Sequence, residues 1–219
     1  MKKVASGSPK QTARALQPLA YLGLGLLWAA LEGWARLHYP DGSHVQGQRL
    51  SEHTGNASLI LLFVVWLARP LKVLVFRRAL GLGAFFFAVL HTRYAFEHVL
   101  GNRWDGIFFL TFERQISTWV GLAALILMVP LALTSSDGAV RKLGIWWKRL
   151  HSSVLMVMVL AALHTAYMGV HYGLNSPRAT TLVLLLSLSA ILLARAFKNR
   201  TLKGTLQRKS SSLGFKKDV

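Results

Sequence analysis

The chain has 219 residues, of which 53% are hydrophobic and only 16% charged, against about 25% charged in an ordinary soluble domain. Its 26 Lys and Arg outnumber 8 Asp and Glu, giving a formal charge of +18, yet a nucleic-acid binder would not combine that charge with apolar runs of bilayer length. The absence of Cys excludes disulfides, thiolate metal sites, iron–sulfur clusters and covalent haem attachment, which leaves a polytopic membrane protein.

A helix needs about 20 mostly apolar residues to cross a bilayer, and six segments qualify. The first runs from Leu16 to Leu37, broken only by Glu32 and Arg36. It is too long for a signal-peptide core and no small-x-small cleavage site follows, so it reads as a retained span. The second runs from Thr54 to Leu67, the third from Ala79 to Leu100, the fourth from Gln115 to Leu133, the fifth from Leu150 to Tyr172 and the sixth from Ala179 to Ala194. The predicted fold is therefore an all-α, six-transmembrane-helix bundle. Residues 1–15 form an N-terminal arm, 16–197 the membrane domain and 198–219 a basic tail.

An even number of spans puts both termini on one side. The arm, the second and fourth connections and the tail together hold 20 of the 26 cations, Arg77, Arg78, Arg141 and Arg149 among them. Positive charge marks the cytoplasmic face, so both termini are predicted inside. The same charge suits contact with anionic lipid and requires no nucleic acid. No Gly-rich phosphate loop follows a strand, so nucleotide chemistry is expected from a separate chain. No internal repeat is recognised.

Of eight His, His38, His44 and His53 fall in or beside the first outer connection, where loop polarity accounts for them. The others lie in the third and fifth spans, and an ionisable group at membrane depth points to a functional site. These two spans run in the same direction. His91 is 12 residues into one and His164 is 14 into the other, which at about 1.5 Å per residue places them at similar depth. Two neutral imidazoles at one level are suited to clamping a b-type haem as a six-coordinate electron carrier. A hydrogen bond from each His to a neighbouring helix, or a proton- or metal-conducting pair, uses the same residues. His151 lies 13 residues before His164, at the inner mouth, but the matching position in the third span is Arg78. Arg77 and Arg78 can hold propionates or a flavin phosphate through fork-shaped donors but cannot ligate iron. His98 and His171, each seven residues beyond its partner, read as outer-surface residues.

From residue 50 to 172 the sequence resembles the ferric reductase-like transmembrane family. Within it, the likeness is greatest to haem-binding membrane subunits of periplasmic methionine sulfoxide reductase systems. The resemblance rests on Thr54-Gly55, on Arg77-Arg78-Ala79-Leu80-Gly81-Leu82 and on Leu90-His91. It rests above all on Leu131-Ala132-Leu133-Thr134-Ser135, Arg141-Lys142-Leu143-Gly144, Trp147 and Leu150-His151, followed by His164. Where the relatives carry a His two residues before Thr-Gly, this chain has Glu52, with His53 beside it.

The resemblance implies b-type haem, one or two, with His91, His151 and His164 as metal ligands, and FMN as a further cofactor. It implies an oxidoreductase component in the bacterial inner membrane. Electrons would come from a cytosolic flavin reductase and pass to a periplasmic molybdenum-containing reductase that repairs protein methionine sulfoxide. A stand-alone ferric or quinone reductase, and a His-lined proton or metal transporter, are the alternatives.

Overall fold

The computed structural model describes residues 9–68 and 74–169, and every regular element within them is helical. Seven α-helices follow in order: α1 (Pro9–His38), α2 (His44–Trp66), α3 (Arg77–His98), α4 (Phe112–Leu133), α5 (Asp137–Leu143), α6 (Ile145–Ser152) and α7 (Val154–Gly169). A 3-10 turn (Leu74–Phe76) leads into α3, and a 3-10 helix (Trp104–Phe109) joins α3 to α4. Three stretches are long and apolar enough to cross a membrane: 77–98, 112–133 and 145–168, with mean hydropathies of 1.3, 2.2 and 1.5. The predicted sixth span and the basic tail lie outside the described residues.

Several helix starts lie earlier than the sequence reading: α1 at Pro9, α2 at His44, α4 at Phe112 and the fifth span at Ile145. The second helix begins ten residues before Thr54, at His44, because the preceding turn caps it. Gly42 adopts φ +67°, and the Ser43 hydroxyl accepts a hydrogen bond from the Gln46 amide at 3.1 Å, satisfying one of the free donors of a helix start. Gln46 in turn accepts from the Gly42 amide and donates to Asp41. The added turns bury Gln46, Gly47, Leu50, Ser51 and Thr54, a stripe at helical spacing made of polar and small residues that hydropathy does not register.

The fifth span begins at Ile145 and is stepped at Ser153, which separates α6 from α7. Both the amide and the hydroxyl of Ser153 donate to the Leu150 carbonyl, at 3.0 and 2.7 Å, so the backbone takes a tighter i to i+3 turn there. The inner connection before it is ordered as α5. Ser136 caps α5 by accepting from the Ala139 amide, while Asp137 in its first turn and Arg141 and Lys142 in its last oppose the helix dipole.

The packed centre is Leu61 and Leu62 of α2, Ala84 and Phe87 of α3, Met128 and Leu131 of α4, and Val157 of α7. Phe87 and Val157 are fully buried. In lipid, helices associate through close packing and interhelical hydrogen bonds rather than through exclusion of water. Ser58 of α2 shows this, donating to the Ala84 carbonyl of α3 at 2.8 Å. Gly83 lets Leu24 of α1 approach α3, since a Cβ there would lie 2.7 Å from the leucine methyls. Outward-facing Leu19, Leu26, Ile126 and Leu133 are each more than half exposed, as lipid-facing side chains of a bundle are.

Candidate functional site

The centre of the bundle brings together His91 of α3 and His164 of α7, with ring centroids 5.6 Å apart and planes crossed at 76°. Each ring is tied to a neighbouring helix through the same nitrogen. Nδ1–H of His91 donates to the Ser51 carbonyl of α2 at 2.8 Å, with the Ser51 hydroxyl 3.2 Å away. Nδ1–H of His164 donates to the Ser117 carbonyl of α4 at 2.7 Å, with the Ser117 hydroxyl at 3.1 Å. The two hydroxyls donate back to the carbonyls of the histidines, at 3.3 and 2.7 Å. Ser51 and Ser117 are 4% and 0% exposed, so these bonds are shielded from water. A donor at Nδ1 leaves Nε2 as the nitrogen with a free lone pair.

Glycines complete each seat. A Cβ on Gly55 would fall 2.9 Å from Nδ1 of His91, and one on Gly121 would fall 2.7 Å from Nδ1 of His164. Both seats thus have the same construction: Ser-x3-Gly on one helix, His on the next. The histidine helices repeat as well, Ala88-Val89-Leu90-His91-Thr92-Arg93-Tyr94 matching Ala161-Ala162-Leu163-His164-Thr165-Ala166-Tyr167 at five of seven positions. Thr92 and Thr165 each bond back to the carbonyl four residues earlier. The sequence reading missed this duplication, named Gly55 only within the Thr54-Gly55 motif, and passed over Ser51, Ser117 and Gly121. The signal was present in the shared Leu-His-Thr-x-Tyr, but no chemistry attaches to a buried Ser or Gly until its neighbour is known.

The other predicted residues gather elsewhere. Arg77, Arg78 and His151 line a cavity of about 680 Å³ beside the core, together with Arg141, Trp147 and Phe85. Trp147 stacks on His151, centroids 4.1 Å apart and planes at 25°. Nε2 of His151 lies 3.1 Å from the Thr134 hydroxyl, which itself donates to the Pro130 carbonyl. Trp147 donates its indole N–H to the Thr134 carbonyl at 3.0 Å. Arg78 is ion-paired with Asp137 at the start of α5. His151 therefore belongs to a second, cationic level and does not join the His91–His164 pair.

The outer histidines are more ordered than loop polarity suggested. His44 and His53 stand on α2. Trp34 of α1 stacks on His38 at 4.7 Å and meets His53 edge-on at 4.9 Å. His98, expected at the surface, seats its ring on Gly47 of α2, where a Cβ would come within 2.0 Å of it. His171 lies outside the described residues. Among the described residues no group of three or more His, Asp or Glu is placed to hold a bare metal ion.

A family model described as "Ferric reductase like transmembrane component" matches residues 53–163, a stretch that contains His91 and His151 and ends one residue before His164. A relative from Xanthomonas axonopodis pv. citri, named "Protein-methionine-sulfoxide reductase heme-binding subunit MsrQ", is 36% identical over 163 residues, covering 69% of this chain and 70% of its own. The chain belongs to the ferric reductase-like transmembrane family. Relatives of the same name from Xanthomonas oryzae pv. oryzae and Deinococcus radiodurans are 32% and 34% identical. They cover 91% and 84% of this chain, and 89% and 93% of their own. The family match thus takes in His91, Gly55, Ser117 and Gly121 of the central level and Arg77, Arg78, Arg141, Trp147 and His151 of the cavity. No solved structure matches the chain.

Proposed function

We propose that the protein is a b-type haem electron-transfer subunit of the bacterial inner membrane, with His91 and His164 as the two axial ligands of a haem at the centre of the bundle. The crossed ring pair carries this reading. A metal–imidazole bond is about 2.0 Å, so two nitrogens on opposite sides of one metal lie about 4 Å apart and the ring centroids about 6 Å apart. The observed 5.6 Å is close to that span. The Nδ1–H bonds to Ser51 and Ser117 fix the tautomer that leaves Nε2 for iron, as the outer partner of a metal-bound His does.

Bound haem supplies reversible one-electron chemistry at iron, and with both axial positions taken it has no open site for substrate. The protein's part is to hold and insulate. His91 and His164 fix the position, Phe87 and Val157 exclude water, and the Ser and Gly seats prevent the rings from swinging away. A metal-conducting pair would need further ligands, and among the described residues no group of three or more His, Asp or Glu supplies them.

The inner cavity is the place for a second carrier between the cytosol and this level. Arg77, Arg78 and Arg141 supply fork-shaped donors for an anionic group, and the Trp147–His151 stack offers a flat aromatic wall. Because Nε2 of His151 is turned to Thr134, FMN with its phosphate toward the arginines suits the cavity as it stands. A second haem ligated by His151 requires that ring to turn. A cytosolic flavin reductase is the electron source. The acceptor is a periplasmic molybdenum-containing reductase acting on methionine sulfoxide, the activity named in the relatives.

The test is transmembrane electron flow. Vesicles with the inner face outward, loaded with impermeant ferricyanide, are supplied with NADH, FMN and a flavin reductase. The intact protein should bleach the trapped ferricyanide, and His91→Ala should abolish the bleaching. Equal rates in both would defeat the assignment.

A further inference from the structure

We infer that Ser51, Gly55, Ser117 and Gly121 are positioning residues that hold the His91 and His164 rings in crossed planes and thereby set the electronic structure and potential of the iron between them. The inference rests on the axial-ligand reading above and goes beyond it, since two histidines could ligate a haem at any mutual angle.

An imidazole on a helix can rotate about two side-chain torsions, and a bond to the metal leaves rotation about the iron–nitrogen axis free. Here a second point is fixed. Nδ1–H of each ring donates to a serine carbonyl at 2.7–2.8 Å. The serine hydroxyl, donating to the carbonyl of the same histidine, locks the serine helix to the histidine helix at that register. Glycine four residues on lets the ring edge lie against the helix backbone, and a Cβ at either glycine would collide with Nδ1. With both seats built alike on different helix pairs, the ring planes are set by the relation between the pairs, and they cross at 76°.

This angle has an electronic consequence. Each imidazole donates π density to the iron d orbital perpendicular to its own plane. Parallel planes raise one orbital of the pair and give a rhombic low-spin ferric signal. Crossed planes raise both, leave them nearly degenerate, and give a single dominant signal at low field. The Nδ1–H bond acts on the potential separately: it makes the ring a stronger donor, which stabilises the ferric state.

The experiment compares the purified full-length protein with Ser51→Ala, Ser117→Ala and the double variant by ferric electron paramagnetic resonance and by redox titration. The wild type should show the dominant low-field signal of crossed ligands. Each alanine variant loses only the hydroxyl and keeps the backbone carbonyl that accepts from Nδ1–H, so it should keep its haem and a near-wild-type midpoint potential while that signal moves toward the rhombic form, the double variant moving furthest. Ser117→Cys, a weaker donor of similar shape, should fall between wild type and Ser117→Ala, which keeps the test open if the alanine variant does not accumulate. Haem-replete alanine variants with an unchanged signal would overturn the positioning role and leave the axial assignment intact. Unchanged haem in both His91→Ala and His164→Ala would instead remove the axial assignment itself.

Discussion

Single residues decide this site more than its hydrophobicity does. Nothing in composition distinguishes Ser117 from Thr118 beside it, yet one is fully buried with its carbonyl and hydroxyl on His164, while the other bonds back to its own helix at Arg114. The histidines were legible in sequence because a titratable group at membrane depth is costly and so carries information. Their seats were not, since Ser and Gly are ordinary in membrane helices and acquire meaning only from what faces them. The inner level divides likewise. Arg77, Arg78 and His151 were legible as a cationic group near one aromatic, whereas the hold of Thr134 on both Trp147 and His151 required the fold. A charge-assisted hydrogen bond contributes about 1.5–3 kcal/mol. Replacing Arg77 and Arg141 together by Gln should therefore weaken FMN retention by at least about tenfold, measured as flavin released per chain on denaturation, with haem content unchanged. Equal flavin in variant and wild type would remove FMN from the cavity.

At the scale of elements, apolar runs of bilayer length located α1, α2, α3, α4 and α7 but not their ends, and left α5 and most of α6 as a connection. The start of α2 was missed because the turns from His44 onward bury polar and small residues, and the cap at Ser43 is visible only once the Gly42 turn is known. The step at Ser153 was missed because a serine within an apolar run gives no hydropathy signal. Close approach of α2 to α3 depends on small residues along that seam, Gly47 most tightly. Gly47→Ala should lower the thermal midpoint in detergent, because its Cβ would overlap the His98 ring; overpacking of this kind costs about 1–3 kcal/mol. Adding His98→Ala should restore most of the loss by vacating the space. A midpoint that stays low in the double variant would show that the strain lies elsewhere. Phe87, fully buried at the meeting of four helices, should cost about 3–5 kcal/mol as Phe87→Ala, read from the same melts.

The whole molecule is organised by charge and by duplication. On the proposed orientation, in which positive charge marks the cytoplasmic face, the α4–α5–α6 connection would lie in the cytoplasm and the α1–α2 and α3–α4 connections outside. Alkaline phosphatase fused after Gly42 or Gly101 should be active, and fused after Gly138 inactive. The reverse pattern would invert the electron path. Duplication puts one histidine on each of two helix pairs: α2–α3 and α4–α7 carry the same seat, Ser-x3-Gly against His. It also explains why the inner level is asymmetric, since the position equivalent to His151 is Arg78, already engaged by Asp137.

The central claim is that one iron porphyrin is gripped by His91 and His164, and the most direct measurement is haem per chain, by pyridine haemochrome, in the wild type, His91→Ala and His164→Ala. The account predicts non-covalent protohaem in the wild type and the loss of one full equivalent in either variant, with the low-spin reduced bands of the central haem gone from both. A colourless wild type, or variants that retain the wild-type haem content and spectrum, would contradict it.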